Sequence, residues 1–313
     1  MIDFRQRLDQ IRNGQARPLL ADGAMGTMLF ARGLKSGDCP ELWNLERPAD
    51  LTDIARLYFE AGAEIVQTNT FGASPLKLAE YGLESRAAEI NAAAVKAVRA
   101  AVGDRAYISG SCGPSGRMLL PYGDTAPEVI LESYKVQMAA LREAGCDLIC
   151  IETMTDIEEA LLAVQAAHAV APALPVVVTM TFDRTRRGFF TVMGTSIRAA
   201  SERLMSVRCG EGGSNTPIAA IGANCGNGIE TMVEVAKEFR AATSECESLP
   251  FPLMIQANAG LPEVVDGKLI YGESPEFYAD KARGLIACGV AIIGGCCGTT
   301  PSHIDALRER LNF

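Results

Sequence analysis

Short apolar runs recur along this chain, and each stops at polar or glycine residues. Leu19-Leu20-Ala21 ends at Asp22-Gly23, Glu64-Ile65-Val66-Gln67 at Thr68-Asn69-Thr70, and Ala106-Tyr107-Ile108-Ser109 at Gly110-Ser111-Cys112-Gly113-Pro114. Asp147 to Ile151 ends at Glu152-Thr153, and Pro175 to Val178 at Thr179-Met180-Thr181. Ala219 to Ala223 ends at Asn224-Cys225-Gly226, Leu253 to Ala257 at Asn258-Ala259-Gly260, and Val290 to Ile293 at Gly294-Gly295-Cys296-Cys297. These eight runs recur at intervals of roughly 30 to 45 residues, the length of a strand–helix–strand unit. Between them the apolar period changes to that of a helix: Ile130, Tyr134, Met138 and Leu141 share one face of 127–144, and Ile157, Leu161 and Val164 one face of 156–169. Helix-start signals stand at Asp50 before Leu51, at Ser274-Pro275 and at Thr300-Pro301, and a short helix is expected over 3–13.

Continuous apolar strands alternating with amphipathic helices imply a parallel sheet covered by helices. Eight units closing on themselves predict an α/β fold, a (β/α)8 TIM barrel with a short N-terminal helix. The competitor is an open doubly wound sheet, but no Gly-x-Gly-x-x-Gly follows the first run. Connections into the runs are short, whereas those out of them are long at 23–49, 114–126, 183–195 and 260–273. In a barrel these gather over one rim, where active sites sit. No linker or charge block interrupts the series, so residues 1–313 read as one domain. Cys209 to Asn215 reads as a loop at the opposite rim.

Composition narrows the function. Hydrophobic residues make up 48% and charged ones 21%, as expected of a chain with a large core. The net charge of -9 argues against nucleic acid and anionic membrane surfaces as partners. No run approaches the roughly 18 apolar residues of a membrane helix. Met1 to Arg7 has no apolar signal-peptide core, so a cytoplasmic location is expected. In such a compartment the ten cysteines read as reduced thiols, some of them metal ligands.

Cysteines 225, 296 and 297 follow the sixth and eighth runs, and a barrel brings those strand ends to one rim. Three convergent thiolates suit zinc, with the fourth tetrahedral position open. A redox pair and inert thiols are the competing readings, and Cys112 and Cys150 compete for a fourth-ligand role. Zinc with three thiolates generates hydroxide poorly but binds a further thiol well, leaving it deprotonated and nucleophilic. That favours thiol alkylation over hydrolysis. The chain also lacks His-Glu-x-x-His and Gly-x-Ser-x-Gly.

Seven motifs run in order: Asp22-Gly23-Ala24-Met25-Gly26-Thr27, Gln67-Thr68-Asn69-Thr70-Phe71-Gly72, Gly113-Pro114-Ser115-Gly116, Glu152-Thr153 with Asp156, Asn224-Cys225, Asn258-Ala259-Gly260, and Gly294 to Pro301. On these the chain resembles the homocysteine S-methyltransferases over about residues 17 to 311. It is most similar to the N-terminal homocysteine-binding module of cobalamin-dependent methionine synthases. The resemblance implies a barrel with zinc on Cys225, Cys296 and Cys297, binding homocysteine through its sulfur. It also implies that Asp22 and Glu152 help hold the amino-acid end of the substrate and that Asn258 lines the site. The Asn258 amide oxygen is a candidate for the fourth zinc position when substrate is absent. For Asp22 the alternative is a cap on its own loop's amides.

Methionine synthases of that branch continue into folate, cobalamin and reactivation modules, whereas this chain stops at Phe313. Because the resemblance is strongest to the cobalamin-linked branch, the expected donor is methylcobalamin on a separate corrinoid protein; a fragment of something longer is the other reading of where the chain stops. The alternatives are a small sulfonium or betaine donor, another thiol acceptor, or a non-catalytic zinc-binding barrel of a corrinoid complex. Trp43 is expected in the core, His303 as a solvated first-turn residue, and His168 without a catalytic role.

Overall fold

The computed structural model describes residues 1–207, 218–244, 251–265 and 268–313. The loop expected at Cys209 to Asn215 lies outside them. The described strands are β1 (Leu19–Leu20), β2 (Ile65–Gln67), β3 (Tyr107–Cys112), β4 (Leu148–Met154), β5 (Val176–Met180), β6 (Asp183–Thr185), β7 (Gly188–Phe190), β8 (Ile218–Gly228), β9 (Leu253–Asn258), β10 (Pro262–Val265), β11 (Lys268–Tyr271) and β12 (Ile292–Gly295). Eight of them form a parallel sheet in the order β1-β12-β9-β8-β5-β4-β3-β2. Its ends meet, because Glu64 donates its amide to Leu20 O at 2.7 Å and Asp22 donates its own to Ile65 O at 3.0 Å. The sheet is thus a (β/α)8 barrel, as the run spacing predicts. The other four strands pair as antiparallel hairpins, β6–β7 and β10–β11, inside two of the long loops.

The period of two along each strand sorts side chains into two layers. Leu19, Ile65, Tyr107, Leu148, Cys150, Val177, Met254 and Ile292 pack together inside the barrel. Their alternates Leu20, Val66, Ile108, Ile149, Val178, Ile255 and Ile293 pack outward against the helices. The helix Phe4–Arg12 closes the lower mouth. Its Phe4 and Leu8 join the inner cluster, and Phe4 meets Tyr107 edge to face at 5.2 Å. Each such buried side chain contributes about 1.5–3 kcal/mol. The plug leaves the other rim as the accessible mouth.

The helices Pro127–Glu143 and Ile157–Val170 fall where the periodicity places them. At the fourth helix the start signal lies elsewhere. That helix begins at Pro48, whose fixed φ suits a first helical position, and Asp50 lies inside its first turn rather than at its cap. Trp43 is buried, with the Arg47 guanidinium 3.8 Å over its ring. Among the described residues no helix is long and apolar enough to cross a membrane.

Inside the barrel the backbones of β8 and β9 approach so closely that a Cβ on Gly222 would lie 1.8 Å from Met254 O. Gly222→Ala is expected to destabilise the protein by about 3 kcal/mol or more. Gly26→Ala, where a Cβ meets nothing within 4 Å, should be neutral or stabilising. Urea unfolding midpoints of the two variants against wild type measure this contrast.

Candidate active site

The parity that buries Leu148 and Cys150 inside the barrel also turns Glu152 inward, two residues further up β4. Tyr107 leads in the same way to Ser109 and Ser111, Met254 to Gln256 and Asn258, and Ile292 to Gly294 and Cys296. Apolar residues therefore fill the lower barrel, and polar ones line its open mouth.

At this mouth Cys225 Sγ and Cys297 Sγ are 3.8 Å apart, and the sulfurs of Cys225, Cys296 and Cys297 all lie within 4.8 Å of one another. Two sulfurs about 2.3 Å from a tetrahedral zinc stand about 3.8 Å apart, so the cluster has the dimensions of a three-thiolate metal site. Cys112 and Cys150 are fully buried elsewhere in the sheet and do not join it. Cys225 has φ +61, in the left-handed region that non-glycine residues avoid, and Gly226 follows at φ +74. Such backbone strain persists only where surrounding structure enforces it. The glycines before Cys296 are required by close packing. A Cβ on Gly294 would lie 2.8 Å from Ala21 Cβ, and one on Gly295 2.3 Å from Thr299 Oγ1. Close approach requires these two glycines; only Gly298, at φ +81, is required by its backbone angle.

Beside the sulfurs lies a buried polar well. Glu152 accepts from Ser111 Oγ, from Gln67 Nε2 at 3.2 Å and from Asn224 Nδ2 at 3.3 Å. Asn224 also donates to Cys296 Sγ at 3.8 Å, while its oxygen accepts from Thr153 N and Thr179 Oγ1, both at 2.8 Å. It thereby joins carboxylate, sulfur and strand ends. Asn224 stands in the Asn224-Cys225 motif, where its residue type alone implies no role. The signal was its inward parity, two residues above Gly222. Asp22 accepts from Gln67 N at 2.8 Å through Oδ2, so it does cap an amide, though on the neighbouring strand. Its Oδ1 is buried with no hydrogen-bond partner, as are Gln256 Oε1 and Asn258 Oδ1.

Electrostatics follow from burial. Desolvation pushes Asp22 up to about 8, against the hydrogen bond from the Gln67 amide. It pushes Glu152 up to about 7, against the hydrogen bond from Ser111. Among the sulfurs, hydrogen bonds from Cys296 and then Cys297 favour the Cys225 thiolate, and that charge drives Cys296 and Cys297 upward. Three thiols this close do not ionise together unaided; a cation among them lifts that restriction.

His303, expected in solvent, is buried. Its Nδ1 accepts from Thr300 N at 3.2 Å, and its Nε2 faces Glu273 O at 3.1 Å. A helix-start position said nothing of Glu273, whose carbonyl meets its Nε2, or of Tyr278, whose ring meets it edge to face at 5.7 Å.

The family model of the homocysteine S-methyltransferases matches residues 19–311. The chain belongs to the homocysteine S-methyltransferase family. Membership makes it a methyltransferase by class. Methionine synthase of Mycobacterium tuberculosis is 31% identical over 305 residues, which cover 92% of this chain and 24% of that protein. The methionine synthase of Mycobacterium leprae is 30% identical with the same coverage. The chain thus spans about a quarter of the length of these relatives. The homocysteine methyltransferase MmuM of Escherichia coli, in its metallated form, superposes with a TM-score of 0.75 at 25% identity, over 95% of this chain and 98% of that one.

The raised pKa of Asp22 gives this family member a signed pH dependence. Folded, Asp22 keeps its proton to about pH 8, whereas unfolded it loses it near pH 4. The folded state therefore holds the extra proton between these values, and stability falls as pH rises through that window, by at most about 1.4 kcal/mol per unit from this group. Zinc-free Asp22→Asn should lose less stability than wild type from pH 5 to pH 8 in urea titrations. Parallel losses would contradict the buried, protonated Asp22.

Proposed function

We propose that the chain transfers a methyl group to the sulfur of homocysteine, giving methionine, with zinc held by Cys225, Cys296 and Cys297. The observation that carries this reading is the meeting of three sulfurs, with one pair 3.8 Å apart, beside a buried carboxylate well. Asn258 Oδ1, a buried oxygen without a hydrogen-bond partner on the neighbouring strand, suits the remaining metal position when substrate is absent. Bound there, zinc supplies a soft Lewis acid that favours the deprotonated form of an incoming thiol near neutral pH.

The protein's own residues do the positioning. Glu152, fixed by Ser111, Gln67 and Asn224, and Asp22, with Oδ1 free of a partner, take the substrate ammonium. An arriving cation favours the ionised carboxylates, offsetting the desolvation that keeps them neutral. Holding both ends of a short amino-acid thiol fixes its sulfur toward the open mouth. The methyl donor must then approach in line, within near-attack distance. In this reading the donor is methylcobalamin carried by a corrinoid partner, as the resemblance of the sequence motifs to the cobalamin-dependent branch implies. A small sulfonium or betaine donor, a different thiol acceptor or a non-catalytic zinc-binding barrel would replace that reading if the assay required it.

The test incubates zinc-loaded protein with homocysteine and, separately, methylcobalamin, S-methylmethionine, S-adenosylmethionine and betaine. Methionine is expected with methylcobalamin, and formation only with another donor would reassign the donor. No product from any of them would count against the stand-alone reaction. Cys296→Ser should abolish both zinc retention and turnover. Glu152→Gln should retain zinc while raising KM for homocysteine about 10- to 100-fold, the cost of one charge-assisted hydrogen bond.

A further inference from the structure

We propose that Glu273, which touches neither sulfur nor carboxylate well, is a positioning residue for the metal centre. It ties together the ends of β8 and β9, which carry Cys225 and Asn258, and the turn after β12 that carries the Cys296-Cys297 pair. The inference rests on the zinc reading above. Glu273 lies just beyond β11, where the chain returns across the mouth. Its Oε2 accepts from Ile229 N at 3.1 Å, at the start of the helix Ile229–Ser244 that follows the Cys225 loop. Its own amide donates to Ala259 O at 2.9 Å, next to Asn258. Its carbonyl faces His303 Nε2 at 3.1 Å, and His303 Nδ1 accepts the amide of Thr300, three residues past Cys297. Ala259 closes the circuit by donating to Cys297 O at 2.9 Å.

The fit is tight on every side. A Cβ on Gly228 would lie 2.1 Å from Glu273 Oε1, and one on Gly260 3.2 Å from Glu273 Cγ. Gly228 and Asn258 are partners in the β8–β9 register. The carboxylate therefore sits against bare backbone between two loops, a place that no side chain at residue 228 can share. Burial raises the Glu273 pKa, and the Ile229 amide opposes that rise. The Ala259 and His303 contacts run through the Glu273 backbone, so it is the carboxylate that joins this already anchored segment to the end of the Cys225 strand. Groups behind the metal ligands that fix their orientation commonly matter 10- to 100-fold for metal affinity.

The test measures zinc affinity by chelator competition, and amide hydrogen exchange of metal-free protein, for wild type, Glu273→Ala, Glu273→Gln, Gly228→Ala and the Gly228→Ala/Glu273→Ala double variant. Glu273→Ala is expected to weaken zinc about 10- to 100-fold and to speed exchange in residues 225–229 and 296–300. Glu273→Gln keeps an acceptor for Ile229 N and should stay close to wild type. Gly228→Ala should lose affinity by displacing the carboxylate, and the double variant should be no weaker than Glu273→Ala alone. Unchanged zinc affinity in Glu273→Ala, even with a lowered melting temperature, would reduce Glu273 to a helix cap and overturn the proposal. If wild type itself takes no zinc, the functional reading fails separately. Hydrogen exchange then decides: faster exchange of both loops in Glu273→Ala supports the tie, and unchanged exchange overturns it.

Discussion

Hydrogen bonding between β9 and β12 continues past the end of the sheet, and the site depends on it. Cys296 donates its amide to Ala257 O at 2.7 Å, and Cys297 accepts at its carbonyl from Ala259 N at 2.9 Å. Both cysteines are thereby tied to the backbone on either side of Asn258, with their sulfurs turned into the same cluster. Cys225 then meets them only by adopting φ +61 at the end of β8. The barrel supplies the neighbourhood and the ladder supplies the placement. One strained residue closes the cluster.

Among the described residues, this arrangement gathers acids and thiols without a matching set of cations. Asp22 and Glu152 are buried, share Gln67 as a donor and are both pushed toward their neutral forms. The three sulfurs compete in the same way for one ionisation. On the proposed function, a divalent ion at the sulfurs and an ammonium at the carboxylates would relieve both conflicts. The polar mouth lies above an apolar floor closed by Phe4 and Leu8, so the strand parity that builds the core also confines this chemistry to one end.

Much of this was legible in the chain. Eight apolar runs stopping at polar residues specify the barrel, because strand parity and βα spacing are local properties. The convergence of cysteines 225, 296 and 297 followed once every strand was taken to end at one rim. What was not legible depends on contacts between distant segments. Asn224 needed its neighbours on β4 and β5 to acquire a role, and Gly294 needed β1 pressed against β12. His303 needed the carbonyl of Glu273. The helix at Pro48 shows a smaller loss: Asp50 is a plausible cap by residue type, yet the proline two residues before it sets the start. Propensity is local, while closure and second-layer contacts are not.

On the proposed function, three sulfurs from two strand ends hold one zinc ion and leave room for a substrate sulfur. X-ray absorption at the zinc edge, on purified protein with and without homocysteine, tests it most directly. The account predicts three sulfurs at about 2.3 Å with one lighter atom, changing to four sulfurs when homocysteine is added. A protein that retains no zinc, or a zinc shell with fewer than three sulfurs that homocysteine leaves unchanged, would contradict it.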